Sequence, residues 1–373
     1  MSLRFASMVC LAAVAVATAP ALTHADDAEL ALNSPDQFNW SLFVKVNAPA
    51  PDGKNRLWET WADNPTTFPS RPSRTDKPKF PTQAPQRALE AVSQQILRAA
   101  LIGRNRLRIS PDGSEEVRRN QASFDFIVNN NLYFREGIVD AVKAQKPLSF
   151  PPESIELKAV WKPMDGLAPA QRARYYVNKT PDGREFGLVG LHIMTKAVPN
   201  WTWATFEQAD NVARCDIIGC RDHFGTEKAD VKPNDMPNKG YPECKHTAAL
   251  DKMFTDAGLR EGFWAFYCLK GSQIDFADQS AWGTRLANSI TEDGFVDTSS
   301  CMSCHSRSAL NTSAKSKFSG GFNPDGTGPL GYPDPGTFFA TKPPFKFTDP
   351  RPPYQFLPMD FVWSFTKARS AVQ

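Results

Sequence analysis

The sequence lacks a large excess of charge of either sign. Its 43 Lys and Arg residues nearly balance its 40 Asp and Glu residues, which gives a formal charge of +3 over 373 residues. Proteins that bind nucleic acid or anionic membranes usually concentrate basic residues in a patch or a run. The balance of charges therefore predicts neither nucleic acid nor an anionic membrane as a partner.

Long apolar runs are also missing, apart from a short one near the start. Arg4 precedes the apolar run Val9–Ala17, and small residues stand at positions −3 and −1 of a cleavage site before Asp26. This order is typical of a secretory signal peptide, and the run is shorter than the roughly 20 residues that span a membrane. The sequence predicts a signal peptide at residues 1–25, a periplasmic protein and no membrane span. An uncleaved anchor is the alternative.

Cysteine is scarce, and its count is informative. Cys10 lies in the predicted signal peptide, and two of the other six cysteines belong to a motif that is described below. The remaining four form an even number in an oxidising compartment, which favours two disulfides. The close spacing of Cys215 and Cys220 favours that pair, with Cys244–Cys268 as the second. A structural zinc site is the alternative.

Hydrophobic periodicity indicates an α+β body within residues 26–290. Residues 155–161 alternate between apolar side chains and the charged Glu156 and Lys158, which is typical of a half-buried strand. Further strands are predicted at 185–196, 201–208 and 263–270, and helices at 86–102, 132–144 and 246–257. The sequence therefore predicts an antiparallel β-sheet body with peripheral helices.

Aromatic residues are expected to hold this body together. Trp40, Phe43, Trp58 and Trp61 would pack an N-terminal arm of helical and extended segments, residues 26–85, onto the sheet. The side chains of Trp201, Trp203 and Phe206 suit the core of a sheet, although they would also suit the wall of a cofactor pocket.

One motif carries recognisable chemistry, Cys301-Met302-Ser303-Cys304-His305, of the form C-x-x-C-H. On a helical turn, thiols at i and i+3 lie on one side and can form thioether bonds to the two vinyl groups of a haem. The histidine that follows can then bind the iron. We expect one covalent haem c, with Cys301 and Cys304 as tethers and His305 as the proximal iron ligand. A disulfide or an accidental match is the alternative.

The chain around this motif is rich in Gly and Pro, and residues 291–373 are predicted to form a haem c-binding region with much irregular structure. The sixth iron ligand stays open at this stage. Met359 is the only methionine after the motif, and it follows Gly328–Gly331 (GPLG), an order similar to class I cytochromes c, in which a Gly-Pro segment precedes a methionine ligand. Met359 is thus a possible distal ligand or a packing residue. His192 and Met194 are other candidates.

Five segments carry a wider resemblance. They are Trp40–Asn47 (WSLFVKVN), Trp58–Trp61 (WETW), Gly190–Glu207, Lys270–Gln273 (KGSQ) and Ser299–His305. Together they resemble a group of bacterial exported proteins described as cytochrome c family proteins, and they cover most of the mature chain. The resemblance implies the haem and offers no substrate.

The tail Met359–Ser364 (MDFVWS) resembles another group, the β-sheet haem proteins of the cytochrome c′-beta and hydroxylamine-oxidising type. Those proteins also end in a haem motif and an Asp-aromatic-Val-aromatic strand, and their distal iron position is open. This chain departs from them in its longer gap after the motif and its extra N-terminal sequence.

These observations predict a periplasmic monohaem c-type cytochrome that transfers electrons. Its redox partner, a protein or a small-molecule donor or acceptor, is not identified by the sequence. The alternative is a haem c enzyme, a haem-dependent oxidoreductase, or a protein that binds peroxide, nitric oxide or a small nitrogen compound at an open iron site. A third hypothesis is a haem-tethered module that binds a partner or a sugar polymer.

Overall fold

The fold is taken from a computed structural model, which describes residues 24–87, 89–91, 114–234, 241, 243–259, 261–278, 283–293, 295–317, 328–339 and 354–372. The predicted signal peptide lies outside these residues, except for positions 24 and 25. Over the described ranges, we find no helix with the length and apolar character needed to cross a membrane.

The helices are short and border the sheet. They are α1 (His24–Asn33), α2 (Pro35–Asn47), α3 (Asn64–Thr67), α4 (Gln121–Asn129), α5 (Arg135–Lys143), α6 (Pro169–Arg172), α7 (Ala248–Asp256), α8 (Cys301–His305) and α9 (Pro335–Phe338). Single 3₁₀ turns occur at Leu57–Thr60, Gly262–Phe266, Val296–Thr298 and Ser364–Lys367. Side-chain caps begin four of the described helices: Asp63, Asn120, Thr247 and Ser300 each accept a hydrogen bond from the third residue of α3, α4, α7 and α8, respectively.

The strands form one large antiparallel sheet and two small ones. They are β1 (Ala62–Asp63), β2 (Glu90–Ala91), β3 (Ser114–Arg119), β4 (Ile155–Pro163), β5 (Val177–Lys179), β6 (Glu185–Thr195), β7 (Thr202–Gln208), β8 (Cys220–Arg221), β9 (Asp230–Val231), β10 (Tyr267–Gln273), β11 (Ala309–Leu310) and β12 (Leu357–Pro358). The large sheet has the order β1-β3-β4-β6-β7-β10, with β2 paired to β3 and β5 paired to β6. The small sheets are β8–β9 and β11–β12. This architecture confirms the predicted α+β class.

One face of the large sheet is apolar and packs against α2 and α7. Leu157 of β4 and Phe206 of β7 are buried there, and the ring of Phe206 lies 4.5 Å from that of Phe43 and 4.9 Å from that of Trp40. The same cluster contains Trp58. The prediction that aromatic residues pack the N-terminal arm onto the body is therefore confirmed.

The opposite face is polar, and it is also covered. In β4, Glu156 is only 4% exposed, and Lys158 is paired across the sheet with His192 of β6. The prediction of a half-buried strand is wrong for this reason: other segments cover the residues between the apolar ones, as when Ser123 of α4 donates to Glu156 Oε1 at 2.7 Å. This polar face is the floor of the candidate site described below.

The remaining predictions of strands, helices and domain bounds are confirmed only in part. The four predicted strands correspond to β4, β6, β7 and β10, and two predicted helices correspond to α5 and α7. Most of the helix predicted at 86–102 lies outside the described residues, and its described part contains β2, which pairs with β3. The division into a body at 26–290 and a region at 291–373 stays a prediction.

Both predicted disulfides are present. Cys215 is bonded to Cys220, with a Cα–Cα distance of 5.1 Å, and Cys244 is bonded to Cys268, with a Cα–Cα distance of 5.6 Å. The second bond ties the loop before α7 to the edge strand β10. Because all four sulfurs are used, no thiolate remains among them for the alternative zinc site.

The aromatic contact between α2 and the sheet leads to a prediction about stability. Phe43→Ala removes a fully buried ring that touches Phe206, Trp264 and Tyr267. We expect it to lower the free energy of unfolding by about 3–5 kcal/mol in urea titrations. Leu32→Ala on α1, where the side chain is 56% exposed, is the control and should change stability by less than about 0.5 kcal/mol. Equal losses in the two variants would contradict this account of the core.

Candidate functional site

The motif Cys301–His305 forms helix α8, and the edge of the sheet fixes its position. Ser300 caps the helix, because its Oγ accepts a hydrogen bond from the Ser303 amide. The Gln273 side chain of β10 accepts a hydrogen bond from the Met302 amide at 3.0 Å and donates one to Ser300 Oγ at 2.9 Å. These bonds satisfy amides of the first turn that have no partner within the helix. The helix is therefore held at one end of the polar face.

The two motif cysteines keep their thiols. Cys301 and Cys304 are outside the two disulfides, both are partly accessible, and Cys301 Sγ donates to the Leu286 carbonyl at 3.5 Å. Burial raises the pKa of Cys301 well above its usual value and that of Cys304 to about 12. Both thiols are thus protonated at neutral pH. They occupy the i and i+3 positions of α8, as two thioether tethers require.

The imidazole of His305 is held in one tautomer. Its Nδ1 lies 2.8 Å from the carbonyl oxygen of Phe361. Because a carbonyl can only accept, Nδ1 must carry the proton, and Nε2 of the neutral ring keeps its lone pair. Burial lowers the pKa of His305 to about 4. A histidine whose second nitrogen donates to a carbonyl is the arrangement typical of a metal ligand.

The C-terminal tail supplies the Phe361 carbonyl. Strand β12 pairs with β11, the Met359 amide donates to the Ser308 carbonyl at 2.8 Å, and Ser308 Oγ donates to the Val362 carbonyl at 2.6 Å. Residues 359–362 therefore lie along the chain that leaves α8. They cover the Nδ1 side of the His305 ring.

This arrangement bears on Met359 as a distal ligand. Met359 is fully buried in an apolar cluster with Met302, Leu310 and Leu357. It is two residues from Phe361, whose carbonyl contacts Nδ1 of His305, whereas an iron would be held at Nε2. The placement favours the interpretation of Met359 as a packing residue.

The polar sheet face lies beside α8. Trp203 of β7 has its ring 4.6 Å from that of His305, so this residue contacts the site in addition to the core for which it was predicted. Met194 is paired with Trp203, and His192 is two residues further along β6 on the same face. Met194 also shares a buried apolar cluster with Met302, and Cys301 packs against that cluster, so β6 lies near the motif, as the candidacy of His192 and Met194 required.

A cluster of ionisable groups lines this face next to the motif. His192 Nε2 lies 3.1 Å from Thr291 Oγ1 and 3.9 Å from Glu292 Oε2, and Glu292 Oε2 accepts a hydrogen bond from the Asn288 amide at 2.6 Å. Burial raises the pKa of Glu292 to about 7. Burial, together with the nearby charge of Lys158, lowers the pKa of His192 well below its usual value.

The cluster and the motif share one electrostatic environment. The charge of Glu292 raises the pKa of both thiols, and that of Lys158 opposes this rise. The polar cluster and α8 therefore lie near each other, and Met194 of β6 shares a buried apolar cluster with Met302 of the motif.

The residues present fit a covalent haem c. Two thiols stand at the required spacing on a helical turn, and both remain accessible. The adjacent His305 is fixed in the tautomer that presents Nε2. Among the residues described, we find no cluster of His, Cys, Asp and Glu that could hold a separate metal ion.

Some of the site was not predicted from the sequence. Lys158 was assigned to a solvent-facing position, and Glu292 and the Phe361 carbonyl were not singled out. A charge at every second position of a strand is the same signal whether that face meets water or a buried pocket. A backbone carbonyl has no sequence signal, because every residue carries one.

The raised pKa of Glu292 predicts a pH-dependent effect on stability. A buried carboxyl whose pKa rises from 4.5 to about 7 favours folding at low pH, and this contribution is lost as the pH rises toward 7. Glu292→Gln removes the titration and can keep the bond from the Asn288 amide. The variant should gain stability relative to wild type by up to about 3 kcal/mol between pH 4 and pH 8 in urea titrations.

The control for this prediction is Glu227→Gln, which removes an exposed carboxylate paired with Lys245. Its stability relative to wild type should change little over the same pH range. A constant difference between Glu292→Gln and wild type from pH 4 to pH 8 would show that Glu292 titrates normally.

Comparison of the chain with protein-family models, with curated proteins and with solved structures found no match. The assignment of a function therefore depends on the motif and on the geometry around it.

Proposed function

We propose that the chain is a periplasmic monohaem c-type protein, in which Cys301 and Cys304 tether one haem and His305 is its proximal ligand. The observation that supports this most strongly is the 2.8 Å contact between His305 Nδ1 and the Phe361 carbonyl, which leaves Nε2 as the ligating nitrogen. A haem bound there supplies one-electron redox chemistry or a binding position for a small molecule at the iron. The surrounding residues orient His305 and shield it from water.

Two roles are compatible with such a haem. A pure electron carrier needs a sixth ligand that saturates the iron, and Met359, the candidate from the sequence, is fully buried in an apolar cluster two residues from the Phe361 carbonyl. A protein that binds a small ligand needs an open position with polar groups beside it. The geometry therefore supports the second role better than the first.

The polar cluster supplies the groups that such a role requires. Lys158 can donate a hydrogen bond, and Glu292, with a pKa of about 7, can give or accept a proton near neutral pH. A carboxyl, a lysine and a histidine whose side chains are 13%, 25% and 16% exposed are costly to keep together for packing alone. We therefore favour a haem-dependent oxidoreductase, or a sensor, for peroxide, nitric oxide or a small nitrogen compound. Electrons would pass to or from a separate donor or acceptor.

Haem attachment is the first test of this proposal. The protein, exported from cells that mature c-type cytochromes, should gain the mass of one haem and show a haem c spectrum in alkaline pyridine. The double variant Cys301→Ser/Cys304→Ser should lose both signals, because the two thioether bonds cannot form. The matched control is Cys215→Ser/Cys220→Ser, which removes a disulfide and should keep the haem. Wild-type protein without haem would overturn the proposed function.

Carbon monoxide separates the two roles. We expect the absorption spectrum of the ferrous protein to change when carbon monoxide is added, because an open iron position binds it. Met359→Leu should leave the spectrum without carbon monoxide unaltered, since a packing residue is replaced by one of similar volume. If carbon monoxide leaves the wild-type spectrum unchanged but binds to the Met359→Leu variant, Met359 is instead the distal ligand. The protein would then be an electron carrier.

A further inference from the structure

We infer that Asp360 and Lys196 are positioning residues, which together fix the hydrogen bond between His305 and the Phe361 carbonyl and so set how strongly His305 donates electrons to the iron. The inference rests on the proposed function, since it concerns the proximal side of the same haem. Asp360 and Lys196 would act through the backbone of the tail.

The backbone that carries the Phe361 carbonyl is strained. Asp360 has a φ of 46° and Phe361 a φ of 70°, both in the left-handed region. This region is unfavourable for residues with a side chain, and most of all for a bulky one such as phenylalanine. Two such residues in succession persist only where their surroundings hold them. The strained pair comes directly before the bond to His305.

The side chain of Asp360 supplies the restraint. Its Oδ1 lies 2.6 Å from Lys196 Nζ, and its Oδ2 accepts a hydrogen bond from the Phe150 amide at 2.7 Å. The side chains of Asp360 and Lys196 are only 8% and 11% exposed. An ion pair with so little access to water is weakly screened, and its geometry is therefore well defined. Both oxygens of the carboxylate are used.

Lys196 is itself anchored to the sheet. It directly follows β6, and its amide donates to the Ser154 carbonyl at 3.0 Å, while its Nζ also donates to the Pro199 carbonyl at 2.7 Å. The turn after it ends at Trp201, a fully buried residue with a φ of 60°, whose ring lies 5.8 Å from Lys196 Nζ. The restraint on Asp360 thus comes from the body of the protein.

The two ends of the strained segment are fixed separately. Met359 and Val362 are bonded to the backbone and the side chain of Ser308, three residues after His305. The Val362 amide also donates to the Met359 carbonyl at 3.0 Å, so residues 359–362 form a tight turn with two left-handed central residues. With the ends held by Ser308 and the middle held by Lys196, this turn directs the Phe361 carbonyl toward His305 Nδ1.

The hydrogen bond at Nδ1 controls the chemistry of a ligating histidine. A well-placed acceptor draws the Nδ1 proton toward itself and makes Nε2 a stronger donor to the metal. Stronger donation stabilises the ferric state and lowers the reduction potential of a haem. Breaking the ion pair between Asp360 and Lys196 should therefore weaken the iron–histidine bond and raise the reduction potential of the haem.

The test compares variants of the holoprotein. Lys196→Met and Asp360→Asn break the ion pair, and Asp360→Gly also relaxes the backbone. In all three we expect unchanged haem content, a lower iron–histidine stretching frequency in the resonance Raman spectrum of the ferrous protein, and a more positive midpoint potential. Lys196→Arg keeps the ion pair and should restore the wild-type values. Asp182→Asn, which breaks the exposed ion pair with Arg184, is the control and should alter neither.

The outcomes are distinguishable. If the wild type carries haem and the folded variants keep the wild-type iron–histidine frequency and midpoint potential, the inference is overturned. The proposed function is then left intact. A loss of stability with an unchanged stretching frequency and an unchanged midpoint potential would mean that the ion pair between Asp360 and Lys196 has only a structural role. That result also overturns the inference. Wild-type protein without haem overturns the proposed function and the inference together.

Discussion

One face of the large sheet carries ionisable side chains, and the chain buries that face. Buried charges are costly unless they are paired and hydrogen-bonded. Glu207 illustrates how the cost is met: it lies 3.3 Å from Lys270 Nζ and accepts hydrogen bonds from the Ser289 amide at 2.8 Å and from Asn211. The segment around Ser289, which covers this face, is therefore positioned by its hydrogen bonds to the buried charges. Helix α8 follows this segment in the chain, so its position depends on the same bonds.

The covering segment also depends on a missing side chain. A Cβ atom on residue 190 of β6 would lie 2.9 Å from Asn288 Nδ2, which is closer than real Cβ contacts allow. Glycine at this position lets Asn288 approach and donate to Thr205 Oγ1 at 3.1 Å. Because Glu292 follows four residues later, the position of the polar cluster is set partly by the absence of a methyl group.

The sequence predicts those parts of the molecule that depend on local pattern. Strands such as β4 and β6 have a period-two apolar face, the C-x-x-C-H spacing carries its own chemistry, and the loop between Cys215 and Cys220 is short enough to suggest the disulfide. The helical part of the N-terminal arm is confirmed by α1 and α2, but the sequence pattern predicts no bounds for these helices; the proline at the first position of α2 is a favourable helix start. Covering of the polar face could not be foreseen, because alternating charges look the same in either environment. The left-handed pair at Asp360 and Phe361 is likewise not apparent from the sequence, since phenylalanine rarely adopts this conformation.

The order of the chain sets an order of events. The motif is synthesised before residues 359–362, and their contacts with Ser308 cannot form until those residues have left the ribosome. Under the proposed function, a haem would reach the two thiols most easily in that interval, before the turn covers the Nδ1 side of His305. Closure of this turn before haem attachment would restrict access to the motif.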